Sequence, residues 1–444
     1  MLISLQLLPL GRSFSFIPFS PPVRAQRVWV RCKSTHCSAN KPYFQFEVLH
    51  ESTVSSARVC RITTPHGVID TPTFVAVATN GALKGLDFRD ADAANQQLIF
   101  ANSYHMLLQP GNDVIKKAGG IHNFVGRPHG PFITDSGGFQ VFSLAYGKGV
   151  FEDAPAGGEL KRSQAKKKYS DSLHTSQESL SRNKIKDNPV KITEDGIIFR
   201  SYRDGTKLLL TPESCVQAQK DFGADIIIPL DELPPYQTDR AKLEESVDRS
   251  HRWEKRSLDE HLKDPKDQAM YCVVHGGVDK ELRMKSVEYL TSLDPGFDGI
   301  AIGGSLGNDK DEMVEMLEFL MPNIDKKRPN HLLGIADVES IERCVPLGVD
   351  SFDSCFPTRI ARHGTLLTKK GKLHIRNREH VEAFGVKIED DCGCSTCKHY
   401  DRAYLNHLIK AKEPVFLPLA TVHNLFFMNE MMKSIREKIV QNEI

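Results

Sequence analysis

Two acids, Asp350 and Asp353, sit three positions apart in VDSFDSCFPTR (349–359), a stretch that also holds Phe352, Cys355 and Phe356. A carboxylate at the end of an otherwise buried strand is costly unless it is paired or used. Other short apolar runs end in polar residues too: Asn102 in QLIFANS, Asp135 and Ser136 in PFITDS, Asp231 in DIIIPLDE, His275 in AMYCVVHGG and Gly304 in GIAIGGS. Carboxylates gathered on one face could divide the work of a nucleophile and a general acid/base, as at the anomeric carbon of a sugar. A second chemistry is written in DCGCSTCKHY, where Cys392, Cys394 and Cys397 crowd together. With one histidine they complete a tetrahedral Cys₃His set, and four protein ligands leave no open position, so such a site is structural. The candidates are His399, His407 and His423. His399 is too close in sequence to fold back easily, and His423 lies in an apolar, helix-like stretch that could dock over the cysteines.

The elements that must position these groups follow from the apolar runs. Eight appear in order: 73–79, 97–103, 131–136, 225–232, 269–277, 299–305, 331–337 and 351–356. Most are separated by segments of helical pattern or charge, such as AKLEESVDRSHRWEKRSLDEHL (241–262). That order predicts a (β/α)8 TIM barrel, an α/β fold whose active site lies at the C-terminal ends of the strands. The continuous hydrophobicity of DIIIPL suits a parallel strand buried on both faces. Upstream, YFQFEVL and ARVCRITT alternate in the strand manner, with a turn at Pro65-His66-Gly67 after them, predicting an N-terminal antiparallel sheet. The expected organisation is a leader over 1–42, an antiparallel cap over 43–72, the barrel over 73–380, and a zinc-binding subdomain with C-terminal helices over 381–444. Residues 149–190, polar and lysine-rich, read as a flexible insertion, either a solvated loop or an RNA-facing lid.

Composition bounds the function. The 444 residues are 40% hydrophobic and 26% charged, with a formal net charge of +1. Near-neutrality argues against coating nucleic acid by charge alone but allows a local basic patch. No apolar run reaches the length of a membrane span. Ten cysteines in a chain this long do not read as a disulfide framework. From Met1 to Phe46 there is no acidic residue, while arginine, serine and proline are frequent. That composition resembles a transit peptide and predicts an organelle, plastid or mitochondrion, with the cytoplasm as the alternative.

Several motifs in order, TDSGGFQVFSL (134–144), FRSYRDG (199–205), FDSCFPTR (352–359) and CGCSTC followed by a histidine, resemble the tRNA-guanine transglycosylase (queuine tRNA-ribosyltransferase) family. The resemblance covers nearly everything from about Phe44 onward, interrupted by the insertion. It implies a zinc-bearing barrel that exchanges guanine at the wobble position of G-U-N anticodon tRNAs for queuine or its 7-aminomethyl-7-deazaguanine precursor. Asp353 matches the nucleophile that forms a covalent ribosyl-aspartate, and Asp135 the general acid/base, with Asp350 left as a structural partner. Ser136, Phe139, Asp231, His275, Gly304 and Leu333 match base-binding positions. Asn102, Arg359 and Arg362 match tRNA contacts. Cys392, Cys394, Cys397 and His423 match the ligands of one structural Zn2+. The family also implies a homodimer or a heterodimer.

Each residue also has a plainer reading. Phe139 and Leu333 suit a barrel core, Asp231 a helix cap, and Arg359 a solvated surface. This sequence departs from the family's usual residues at His275, where glutamine is common, at Ser305, where leucine is common, and at Ser354-Cys355 and Phe139. His275 would add a pH dependence near neutrality. The expectation of a eukaryotic host favours queuine over the precursor. Two other functions compete: a non-catalytic tRNA-binding partner subunit, which would lack the two acids, and an unrelated barrel glycosidase, which would lack the zinc motif.

Overall fold

A computed structural model describes residues 41–146 and 190–444. The leader and nearly all of the 149–190 insertion therefore lie outside the described residues. The first sheet is antiparallel, from β1 (Gln45–Glu51), β2 (Arg58–Thr64) and β3 (Gly67–Thr71). Eight parallel strands then close into a barrel, interrupted only by a small antiparallel sheet between the third and fourth. In chain order they are β4 (Thr73–Ala78), β5 (Ile99–Ala101) and β6 (Phe132–Thr134), the small sheet β7 (Lys191–Ile192), β8 (Ile197–Arg200) and β9 (Lys207–Leu210), and then the remaining five. These are β10 (Ile226–Ile227), β11 (Ala269–Val274), β12 (Gly299–Ile302), β13 (Asn330–Leu332) and β14 (Ser351–Ser354). The barrel closes twice across long gaps in sequence, where Ile226 pairs with Ile133 and Ser351 with Thr73. Each barrel strand falls on one of the eight apolar runs.

Neighbouring residues on a strand point to opposite faces, and the two cores show it. Val75, Phe100, Ile133, Ile226 and Ala301 fill the barrel interior together with Phe46, Ile62 and Ile69 of the N-terminal sheet. Their neighbours Phe74, Ile99, Phe132, Ile227 and Ile300 face outward into the helix layer. The helices are set by local signals. Thr211 and Ser214 form a capping box before Pro212–Phe222, with proline in its first turn and Gly223 closing it in the left-handed region. Asp239 caps Arg240–Leu262, whose buried Val247, Ser250, Trp253, Ser257 and Leu258 recur at helical spacing.

After β14 comes a short helix, Phe356–Arg362, followed by the hairpin β15 (Thr365–Thr368) and β16 (Gly371–His374) and the cysteine-bearing segment. The long helix Phe416–Val440 carries His423 near its start. Further along, Asn429 donates to the Ala94 carbonyl at 2.9 Å and Arg436 to the Pro72 carbonyl at 2.7 Å. One helix thus joins the cysteine-bearing segment to the barrel wall.

Asp350 is fully buried at the lower end of β14. Arg58 of β2 donates to both of its oxygens, at 2.9 and 2.6 Å, and the Asn330 N–H donates at 2.9 Å. Removing one partner of such a pair strands the other as a buried charge. The expected result for Asp350→Ala is a loss of about 3–5 kcal/mol in a denaturant melt, with activity per folded molecule retained.

Candidate active site

Asp135 follows β6 directly, at the C-terminal mouth of the barrel. Its carboxylate accepts three hydrogen bonds: from Asn102 Nδ2 at 2.7 Å, the Ser103 N–H at 2.7 Å and Gln140 Nε2 at 2.8 Å. Burial nevertheless pushes its pKa above the usual carboxylate value, and the nearby charge of Asp353 pushes the same way. The chain can approach this acid closely because Gly137 has φ +82°, and a Cβ there would lie 3.0 Å from the Tyr104 nitrogen.

Asp353 occupies the third position of β14, beside Val75 of β4. Both of its hydrogen-bonding neighbours reach one oxygen: the Gly334 N–H donates to Oδ1 at 2.7 Å, and His331 Nε2 lies 3.1 Å from the same atom. His331 is fully buried, with Nδ1 2.8 Å from Ser351 Oγ. Among the described residues no hydrogen bond reaches Asp353 Oδ2. The carboxylate is therefore held by one oxygen and presents the other.

Asp231 lies beyond β10. Ser136 Oγ donates to its Oδ1 at 3.3 Å, and His275 Nε2 is 3.4 Å from its Oδ2. Burial pushes Asp231 up to about 7, with Asp135 and Glu232 adding repulsion. Gly304 lies in the left-handed region at φ +77°, and a Cβ there would sit 3.9 Å from His275 Nδ1. Leu333 packs at the edge of the barrel core, while Phe139 is 47% exposed at the start of the helix Gly138–Tyr146.

Burial drives His275 well below the usual imidazole value, which disfavours its charged form near pH 7. Asp231 is the group that titrates there. Above pH about 7 it is acceptor-only, suited to two adjacent N–H groups of a base; below it one oxygen carries a proton. The expected outcome is that a ligand offering two adjacent N–H groups to Asp231 binds more weakly as pH falls through about 7, and binding unchanged across that range would refute it.

Arg359 and Arg362 are half-buried on the helix that follows β14, beside the nucleophile candidate. Asn102, which matches a tRNA-contact position, is buried, and its amide donates to Asp135 at 2.7 Å. Sequence reading missed His331 and Gln140. A histidine inside the apolar run HLLGIAD was the one available signal for His331; Gln140 carried none.

The four sulfur and nitrogen donors expected to bind metal converge. Cys392, Cys394 and Cys397 Sγ lie 3.6, 3.6 and 3.4 Å from His423 Nδ1. His423 Nε2 is 2.8 Å from the Leu367 carbonyl, which requires the proton on Nε2 and leaves the Nδ1 lone pair facing the sulfurs. That arrangement could bind a metal ion. His399 and His407 are exposed and outside it. A second group of close donors, His66, His122 and Asp225, is spaced as hydrogen bonds, at 2.8 and 3.0 Å from the carboxylate.

Comparison with known proteins gives the family. Residues 53–163 and 169–444 match the family model described as Queuine tRNA-ribosyltransferase. The break at 164–168 is far narrower than the interruption expected across 149–190. A queuine tRNA-ribosyltransferase of Protochlamydia amoebophila is 53% identical over 402 residues, covering 90% of this chain and 97% of that protein. Those of Chlamydia caviae and Chlamydia pneumoniae are 47% and 48% identical over 401 residues, each covering 90% of this chain and 99% of theirs. These relatives are bacterial, which corrects the organelle address expected from the acid-poor leader. It also argues against a transit peptide and removes the eukaryotic-host reason for favouring queuine. No described helix is long and apolar enough to cross a membrane.

Proposed function

The chain belongs to the queuine tRNA-ribosyltransferase family, pentosyltransferases that act on tRNA, and on that premise we propose that it exchanges guanine at the wobble position of G-U-N anticodon tRNAs for a 7-substituted deazaguanine. The observation that carries the reading is the pairing at the barrel mouth of two carboxylates in different environments. Asp353 is held by Oδ1 alone; Asp135 is buried with a raised pKa. Oδ2 of Asp353 attacks C1′ of the ribose as the C1′–N9 bond breaks. Guanine leaves with a proton from Asp135, and an oxocarbenium-like transition state collapses to a ribosyl ester. The incoming base then loses its N9 proton to Asp135 and attacks C1′, releasing Asp353.

In this reading Asp231 accepts from the N–H groups on the Watson–Crick edge. His275 and Gly304 meet the ring carbonyl, Ser136 braces Asp231, and Phe139 and Leu333 cover the two ring faces. Arg359 and Arg362 face the anticodon loop. Zinc suits the Cys₃His set, closed by four protein ligands and structural. Tyr400 and Tyr404, stacked with centroids 5.5 Å apart, run on to His407 as an exposed aromatic row, which favours a dimer.

For the incoming base, a cavity of ≈ 280 Å³ favours queuine. It opens past His275, Gly304 and Ser305 between Pro235, Leu243 and Val278. In a 7-deazaguanine the substituent at C7 projects on the same side as the C6 carbonyl, so it leaves the ring past Gly304 and Ser305. Two hydroxyls on the cavity wall, Ser246 Oγ and Ser305 Oγ, are buried without partners among the described residues and suit a substituent that carries hydroxyl groups. Ser305→Phe is expected to raise the queuine concentration needed for competition at least about tenfold more than it raises the KM for guanine. Equal effects on both would remove the cavity from the account.

The test is incubation of purified, zinc-loaded protein with labelled guanine and a G-U-N tRNA. Label entering the tRNA, displaced by queuine in preference to the aminomethyl precursor, is expected. No label at all would favour the partner-subunit reading, against which both carboxylates stand.

A further inference from the structure

Behind the base pocket is a buried acid that the exchange reaction does not use. Glu254 lies on the helix Arg240–Leu262 and is fully buried. Its Oε2 accepts the Val273 N–H at 2.9 Å. Its Oε1 points at His275 Nε2, 3.6 Å away, and both atoms are shut off from water without a hydrogen bond. Two buried polar atoms facing each other without a bond are costly. A small side-chain adjustment would join them, provided one proton lies between.

The surroundings decide where that proton resides. Among the described residues no cation pairs with Glu254. Arg283, the buried arginine of this region, spends its N–H groups on the carbonyls of Gly277, Val274, Gly303 and Ser305. Asp231 faces the same imidazole edge at 3.4 Å, and His251 stacks on Tyr289 further along the same helix. Burial holds the Glu254 carboxyl well above the usual carboxylate range and His275 well below the usual imidazole range. Glu254 is therefore the carboxylic acid and His275 the neutral ring. With Oε2 occupied as an acceptor, the acid proton sits on Oε1 and is offered to Nε2.

We propose that Glu254 is a positioning residue of the base pocket, fixing His275 by an Oε1–H to Nε2 hydrogen bond in the tautomer that carries its own proton on Nδ1. Nδ1 is the nitrogen beside Gly304. The pocket then offers an N–H donor where the base carries its ring carbonyl. In the opposite tautomer Nε2–H would turn to Asp231, and the Nδ1 lone pair would face the carbonyl lone pairs. Glu254 in this way sets whether the pocket accepts a 6-oxo base, and it lets histidine do what a side-chain amide does without help. The inference rests on the reading that His275 faces the base.

The test uses the whole enzyme with labelled guanine and G-U-N tRNA. Glu254→Leu, similar in size and without a proton to give, is expected to raise the KM for guanine about ten- to hundredfold, with a smaller change in kcat. Glu254→Gln, whose amide can accept from Val273 and donate to Nε2, is expected to rescue most of that loss. The double variant Glu254→Leu/His275→Gln is also expected to recover, because glutamine supplies an N–H without a tautomer partner. A merely structural role would not be relieved by a change at position 275. Glu254→Gln as impaired as Glu254→Leu would overturn the proposal, and so would a loss that His275→Gln leaves in place.

Nitrogen NMR of histidine-labelled protein, with His275→Gln identifying the signal, reads the tautomer directly. Nδ1 protonated is expected in the parent, and Nε2 protonated would overturn the proposal. This readout needs neither turnover nor the leucine variant to fold. A failure of base exchange altogether is thereby told apart from a failure of Glu254's role.

Discussion

Asp353→Asn is expected to fold like the parent and to transfer label into tRNA at a rate about 10⁴-fold lower or worse. The size follows from what is removed. An amide is a far weaker nucleophile, and the oxygen presented to the ribose is the one that no described group holds. The contacts that order the side chain fall on Oδ1, from the Gly334 N–H and His331, so the variant keeps its place while losing its chemistry. A denaturing gel of the parent with tRNA should show a protein–RNA band that the variant lacks. Exchange within tenfold of the parent, or a persisting band, would assign the ribosyl linkage to another residue. Asp350→Ala is the matched control: a neighbouring acid on the same strand, costly to stability but without effect on the band.

Stripping metal from the Cys₃His set should produce the second large effect. One zinc per chain is expected in purified protein, and chelation or Cys394→Ser is expected to abolish tRNA binding while most of the barrel's secondary structure survives. Structural zinc contributes about 10–16 kcal/mol in isolated small domains. A smaller effect is expected here because Leu366, Ile375, Leu405 and Leu408 give the subdomain its own apolar cluster. The consequence still travels, since His423 belongs to the helix whose later turns bond the barrel through Asn429 and Arg436. Protein that purifies without zinc, or melts at the same temperature after chelation, would show that the four donors hold no metal.

The barrel was legible because a parallel strand buried on both faces leaves an unbroken apolar run, and DIIIPL and AMYCVV are of that kind. The strands β1 and β2 were legible from their alternation, and the turn after β2 from Pro65-His66-Gly67. Strands of two to four residues, such as those of the sheet from Lys191 to Leu210, are too short to show a period, and that sheet went unread. Ser136, Asp231 and His275, which the structure brings together, each lay in a motif or at the end of an apolar run. Glu254 could not be read that way: in RSHRWEKRS it looks like its neighbour Lys255, and only the packing of its helix on β11 turns it inward. The same holds for Gln140 and His331, whose partners lie on other elements. The leader shows the opposite failure, a composition read as an address that bacterial relatives do not support.

The strand β14 separates two kinds of demand along its short length. At its lower end Asp350 is locked to Arg58; at its upper end Asp353 lies at the barrel mouth, and the phenylalanine between them points away into the helix layer. Inheritance can therefore act on the two ends independently. A change at the lower lock is thus read out in stability, and a change at the upper carboxylate in chemistry.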